Sequence, residues 1–288
     1  MTRPDRALAI VAGAVAALVV GGCDVKKELL EPQNPGIIGP DQVQSPTAAD
    51  AFRKGVLGRL RSSTQSADGA WLNAGLLADE WKSSNTFSQH QEIDSRSMAL
   101  NNGEIASIYS AWQAGRGAAY TALDVLTAYL PTPVYLGQMY FVMGFMELSL
   151  AQNFCNGIPL GRTVDGSPQY SKPYTNAEVY AIAITHLDSA ATFAGSATDT
   201  ASVNLANATR IAKARILVEQ GKFSEAAALV ASVSTDYAWN FQYATTSGDN
   251  GLWNYNNSVK RFTVSDSFDA GGLIQNAIPF ASAKDPRV

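Results

Sequence analysis

Apolar positions along the chain recur mostly at three- and four-residue spacing, the period of a helix with one buried face. Ala49, Phe52, Val56 and Leu60 form the first such stripe. Ser45 before Pro46 supplies its start, an N-cap oxygen followed by proline at the first helical position. Trp71, Leu72, Leu76, Leu77 and Trp81 form a second stripe. Residues 85–103 lose the pattern and predict a polar loop, with Asn85, Ser88, Gln89, Gln91, Ser95, Asn101 and Asn102. Ile108, Trp112, Ala119, Leu123, Leu126 and Leu130 then mark a long helix that Pro131 and Pro133 end. Met139, Met143, Met146 and Leu150 follow, and the other faces of that helix carry Phe141, Val142 and Phe145, so it belongs in the centre. The methionine stripe reads as core packing rather than a cofactor box.

Thr175 and Glu178 have capping-box spacing, and Val179, Ile182, His186, Leu187, Ala190 and Phe193 follow on one face. Ala208, Ile211, Ala214 and Leu217, then Ala226, Leu229 and Val230, give a final helix pair. In that pair Ala214, Gly221, Phe223 and Ala226 keep the spacing of a tetratricopeptide-type hairpin. Gly221 ends the first helix at positive φ, and Phe223 is expected to wedge between the helices. Met139 to Phe193 reads as a second pair with a long insertion. Such pairs stack and share a core. Beyond Val233, Tyr237, Trp239, Phe241, Tyr243, Trp253, Tyr255 and Phe262 are scattered among Gly, Ser, Asn and Asp, which predicts loops with a few short strands. No βαβ alternation is present, which excludes a doubly wound sheet. The expected fold class is mainly α, with tetratricopeptide-like helix pairs and an irregular, loop-rich region over 236–288.

The first 22 residues have a different plan. Arg3 and Arg6 precede a charge-free apolar run, Ala7 to Val20, and Val20-Gly21-Gly22-Cys23 follows at once. This is a signal peptide, residues 1–22, and its small pair before a cysteine matches the lipobox of lipoprotein signal peptidase. A transmembrane helix is excluded by length, since spanning takes ~20 apolar residues. Cys23 is therefore expected to be lipidated and to hold the protein on the membrane. Residues 23–44, with Pro32, Asn34-Pro35-Gly36 and Gly39-Pro40, read as a tether, and 45–288 as the helical domain.

The 46% hydrophobic content over 288 residues allows a full core. A net charge of -4 does not suggest the basic face of a nucleic-acid binder. The chain has two cysteines; lipidation of Cys23 leaves Cys155 alone and no intramolecular disulfide is expected. Two histidines, His90 and His186, leave little for a His-rich metal site, so no metal and no cofactor are expected. There is no nucleophile elbow, Walker loop, HExxH or paired-cysteine motif, so no enzyme is expected.

The plan as a whole resembles the SusD/RagB family of nutrient-binding outer-membrane lipoproteins. The resemblance runs from the lipobox through Leu30-Glu31-Pro32-Gln33-Asn34-Pro35 and Ser107-Ile108-Tyr109-Ser110-Ala111-Trp112. It is strongest over Gln138 to Leu160, and continues through Pro173-Tyr174-Thr175 and Leu187-Asp188-Ser189-Ala190 to Ala212–Ala228. It covers nearly all of this chain but only the N-terminal part of a usual member, and Asp285-Pro286-Arg287-Val288 looks like an internal family element. The resemblance implies a SusD-like α superhelix, lipid-anchored at the cell outer membrane and exposed at the surface. It also implies a SusC-type TonB-dependent β-barrel transporter as partner and an oligosaccharide, or a peptide, as ligand. The alternative is a tetratricopeptide-like scaffold lipoprotein in envelope assembly, whose mark would be a concave apolar groove.

A sugar binder needs aromatic faces for the apolar side of the ring and amide or charged groups for hydroxyls, carried on loops. Two regions qualify. One holds Trp81, Asn85, Phe87, His90 and Arg96; the other Trp253, Asn254, Tyr255 and Asn256. Trp81, Asn85, Arg96, Trp253 and Tyr255 are the candidate ligand contacts. Packing is the competing reading for Trp81, which continues a helical stripe, and loop anchoring for Trp253 and Tyr255. His90 reads as a surface histidine.

Overall fold

A computed structural model of the protein describes residues 44–264, except 67, 165–166, 197 and 244–247, together with residue 284. The expected signal peptide, Cys23 and all of the expected tether but Gln44 lie outside the described residues, as do residues 265–283 and 285–288 of the region 236–288. The fold of the described residues is mainly α. Helices α1 (Pro46–Gln65), α2 (Ala70–Leu77), α3 (Ser88–Asp94), α4 (Gly103–Tyr129), α5 (Pro133–Asn153), α6 (Asn176–Ala194), α7 (Thr200–Glu219) and α8 (Phe223–Val230) alternate with six strands of two or three residues. The strands are β1 (Lys82–Ser83), β2 (Ile158–Pro159), β3 (Arg162–Val164), β4 (Ser167–Gln169), β5 (Pro173–Tyr174) and β6 (Phe262–Thr263). All pair antiparallel, as β1–β6, β2–β5 and β3–β4.

Helix α5 is the hub and packs against α1, α4, α6 and α7. Within Met139–Ala151 only Tyr140 and Phe145 are even partly exposed, and Met139, Met143 and Met146 are completely buried. This all-round apolarity is what a core helix requires. Its contact with α6 is the most extensive between helices among the described residues, and glycines stand in it where side chains would collide. A Cβ at Gly144 would come 2.7 Å from Leu187 Cγ and 3.0 Å from the Ala183 carbonyl; one at Gly137 would meet Leu205 and Phe193. The insertion between α5 and α6 folds back as the β2–β5 and β3–β4 pairs. Asn176 closes it, its amide donating to the carbonyls of Ala151 (2.6 Å) and Phe154 (2.8 Å) at the end of α5.

Several expected caps are present. Ser45 accepts from the Ala48 N–H at 3.2 Å. Gly221, at φ 72°, ends α7 in a Schellman turn, with Lys222 N–H donating to Leu217 O and Gly221 N–H to Val218 O. The Thr175–Glu178 capping box is complete. Lys172 donates to Glu178 Oε1 at 2.6 Å, and the Thr175 N–H and hydroxyl donate to Oε2. These bonds, led by that of Lys172, hold the Glu178 carboxyl down from 4.5 to about 2. A depressed carboxyl stabilises the fold above its unfolded value and loses that contribution as pH falls through the folded one. Glu178→Gln is therefore expected to lower the thermal midpoint near neutral pH. Wild type and variant should converge as pH falls from about 4.5 toward about 2. A gap that stays constant over this range in thermal melts would show that the carboxylate charge is not the source.

Three local expectations are corrected. Residues 85–103 contain a helix, α3, and α4 begins at Gly103 rather than near Ile108, because the Asn102 side chain accepts from the N–H groups of Glu104 and Ile105. Helix α2 ends at Leu77, so Trp81 does not continue its stripe. Phe223 does not wedge between helices; it is 67% exposed at the start of α8.

Candidate functional site

The two regions singled out in the sequence meet in one corner. Two Schellman turns and one short strand pair bring them together. After α2, Asp79 takes φ 61°, with Glu80 N–H donating to Gly75 O at 2.8 Å. The chain turns back on itself, and the indole of Trp81 lies directly on Gly75, where any Cβ would overlap it. After α3, Arg96 takes φ 56°, with Ser97 N–H donating to Glu92 O at 2.9 Å. Arg96 then donates to Leu77 O (2.9 Å) and to Asp79 Oδ2 (2.6 Å), tying the two helix ends together. β1 pairs with β6 across the length of the domain, Ser83 facing Phe262. Phe262 is fully buried with Leu72, Leu76 and Ile93, and Trp81, Ile105, Leu252 and Tyr255 pack around this small core.

Trp81 and Tyr255 thus converge on Phe262, and Asn85 reaches it through His90. Tyr255 stacks on it (centroids 5.6 Å apart, 22° between planes). Asn85 is buried: its Oδ1 accepts from Phe87 N–H at 3.2 Å and its Nδ2 lies 2.9 Å from His90 Nδ1. His90 is the correction of greatest consequence. It is no surface residue but 0% exposed, set edge-on to Phe262 at 5.3 Å. Burial, first of all, pushes its imidazole below the ordinary value. Arg96 stands apart, engaged by Leu77 and Asp79. Trp253 is 55% exposed, on the single turn Gly251–Trp253 that Asn250 caps and that passes into the π-helical turn Asn254–Ser258.

A pocket of about 340 Å³ opens beside this core, lined by Asp68, Phe87, Ser88, Gln89, Glu104 and Tyr255. The Arg261 guanidinium lies over both aromatic faces, 5.1 Å from the Phe87 ring and 5.3 Å from that of Tyr255. Aromatic rings, amides, carboxylates and a guanidinium on loops and short helices can contact a hydroxyl-rich ring on its apolar and polar sides. Phe87 lies in one of the two regions that the sequence singles out, though it is not one of the five candidate contacts. Asp68, Gln89 and Glu104 are not sequence candidates, and only the fold brings them to the pocket and Arg261 over its aromatic rings.

A second cavity, about 280 Å³, lies between α1, α5 and α7 and is covered by Tyr237, Trp239 and Phe241. Its wall is aromatic, with Trp239 stacked on Phe141 at 5.0 Å. Arg215 at its edge donates to Gln152. A third hollow, about 560 Å³, runs along α7 and α8 past Ile211, Val218, Phe223 and Val230.

No family model matches the sequence, and no curated protein matches it. The fold does match solved structures. A crystal structure of a SusD superfamily protein from Bacteroides vulgatus superposes with a TM-score of 0.54 at 16% identity, over 73% of this chain and 49% of that one. The protein has a SusD-like, mainly helical fold, and the chain spans about half the length of that neighbour.

Proposed function

We propose that the protein is a surface lipoprotein that captures a nutrient, an oligosaccharide or else a peptide, and passes it to a SusC-type TonB-dependent transporter. The observation that carries this reading is the SusD-like fold, joined to a lipobox at Cys23. The reading is one of binding rather than catalysis, at the outer membrane, with Cys23 as the lipidated residue. The pocket beside Phe262 is the proposed ligand site. Tyr255 and Phe87 supply ring faces there, and Trp253 an exposed indole close by in sequence. Trp81 and Asn85 support the site from behind, while Arg96, engaged by Leu77 and Asp79, holds the two helix ends that flank it.

The partner is tested by recovering the tagged protein from native membranes in mild detergent. A TonB-dependent barrel in near-equal amount is expected. The site is tested on an oligosaccharide array with Trp253→Ala and Tyr255→Ala. Trp253→Ala should leave stability within about 0.5 kcal/mol, as an exposed side chain, and weaken ligand binding about tenfold or more, as loss of an aromatic hot spot does. Unchanged binding in both variants would move the site elsewhere.

The scaffold reading has one observation behind it: the apolar hollow along α7 and α8, with Phe223 and Val218 exposed. Recovery of envelope-assembly factors in place of the barrel would favour it.

A further inference from the structure

Buried side-chain polar atoms without a hydrogen-bond partner gather in the corner around the Phe262 core. Among the described residues they include Asn73 Oδ1 and Trp81 Nε1 near α2, His90 Nε2 and Asp94 Oδ1 on α3, Glu104 Oε2 on α4 and Asn256 Oδ1. Buried polar atoms are paired as a rule, so a concentration of exceptions asks for a cause. Two of them face each other. His90 Nε2 is 3.7 Å from Glu104 Oε2, and Asp68 Oδ1 lies 4.0 Å from the same nitrogen. All three atoms fall within 4.8 Å of one another.

These residues come from three separate places: the turn before α2, the middle of α3 and the first turn of α4. Only the fold collects them. The imidazole is completely enclosed, the Glu104 side chain is 18% exposed and that of Asp68 56%. The triangle therefore has an enclosed inner side and an exposed outer one. We propose that Asp68, His90 and Glu104 form a binding site for a divalent transition-metal ion of the zinc or manganese class, in the wall of the pocket beside Phe262.

Charge and geometry both fit. Two carboxylates and a neutral imidazole balance a divalent cation. In its absence the carboxylates oppose each other: burial first, then the charge of Asp68, pushes the Glu104 carboxyl above its ordinary value. Ligand bonds of about 2.0–2.2 Å put neighbouring donor atoms of a tetrahedral site roughly 3.3–3.6 Å apart. From 3.7 and 4.0 Å the two carboxylates need to close on His90 by a few tenths of an ångström, and on each other from within 4.8 Å; the exposed Asp68 side chain can turn to shorten its own two edges, and a small side-chain shift of Glu104 the third. One nitrogen with two oxygens suits zinc or manganese better than calcium or magnesium, which take oxygen alone. Three protein ligands leave a further position, open to the pocket, for water or a ligand oxygen.

Asn85 is the positioning residue. As it stands, its Oδ1 accepts from Phe87 N–H and its Nδ2 donates to His90 Nδ1. The neutral imidazole then carries its proton on Nε2, between the carboxylates. A metal on Nε2 needs that proton on Nδ1, with an acceptor beside it. A half-turn of the Asn85 amide places Oδ1 there, at the loss of the 3.2 Å bond to Phe87. An aspartate at this position would accept from both the Nδ1–H and the Phe87 N–H, and would hold the metal-binding tautomer without the half-turn.

The test is calorimetric titration of the full chain, chelator-stripped and in detergent, with zinc, alongside visible spectra with cobalt as substitute ion. One zinc per chain is expected, with cobalt bands of a four-coordinate nitrogen–oxygen site. His90→Gln should abolish both signals. Asp68→Asn, whose side chain is exposed enough to leave folding intact, should weaken zinc binding about tenfold or more, and Asn85→Asp should tighten it by a similar factor, the range outer ligands command. The proposal is overturned if zinc does not bind, or if Asp68→Asn and Asn85→Asp bind it as the wild type does. Neither result touches the nutrient reading, which the oligosaccharide array tests separately.

Discussion

Glu147→Ala is expected to lower stability by about 3–5 kcal/mol, the cost of breaking a buried ion pair from one side. Glu147 is completely enclosed in the central helix α5, and both its oxygens are used. Oε1 accepts from Arg116 Nε at 2.7 Å and Oε2 from His186 Nδ1–H at 2.6 Å. Arg116, itself 3% exposed, also donates from Nη1 to Gly161 O (2.7 Å) and from Nη2 to Leu160 O (3.0 Å). His186 Nε2 is left to accept from the Tyr120 hydroxyl at 3.2 Å. Burial, and then the Glu147 charge, push that phenol above its ordinary value. One carboxylate thus joins α4, α5, α6 and the insertion after β2. Alanine would leave a buried guanidinium with two carbonyl dipoles and the Tyr120 ring but no counter-charge. Glu147→Gln keeps an acceptor and removes the charge, so it should cost distinctly less than alanine in urea unfolding. Equal losses would place the effect in packing. Replacing both Arg116 and Glu147 by methionine should recover most of the stability, since no charge is then left buried.

A loss of similar size, about 3–5 kcal/mol, is expected for Trp112→Ala. Trp112 is 1% exposed and joins α4 to α1. Its indole N–H donates to Ser63 O at 3.2 Å, in the last turn of α1, where a helix leaves its final carbonyls without intrahelical partners. Removal creates a cavity and strips a helix end of its cap at once. Trp112→Phe separates the two effects: most of the volume stays and the hydrogen bond goes, for about 1–2 kcal/mol beyond the lost area. If phenylalanine is as damaging as alanine, the hydrogen bond rather than the packing holds α1 in place. Both variants are read from denaturant midpoints at constant m-value.

Both results concern the helical body, where most of the structure was legible in the sequence. The Met139–Met143–Met146 stripe, the Ser45–Pro46 start, the Thr175–Glu178 box and the positive φ of Gly221 all follow from local spacing and cap chemistry. The corner that holds the candidate site was much less so. Its two sharp turns put Asp79 and Arg96, not glycine, at positive φ, so the usual punctuation was missing. Helix α3 has seven residues, too few for its period to stand out among polar neighbours. His90 reads as a surface histidine because its immediate neighbours, Gln89 and Gln91, are polar; Phe262, which packs on its ring, arrives through the β1–β6 pair.

The sequence by itself determined the helical class of the body, the identity of its central helix and most of its caps, because these depend on residues within one or two turns of each other. It also determined which aromatic and amide residues were candidates for ligand contact. Only the tertiary structure decided that Trp81 and Tyr255 share one core, that Asn85 is held beside it by His90, that Arg96 is spent on tying two helix ends, and that Asp68, His90 and Glu104 meet. Those decisions rest on strand pairing and burial between segments far apart in the chain, where the position of each group is set by what packs against it and local spacing carries no signal.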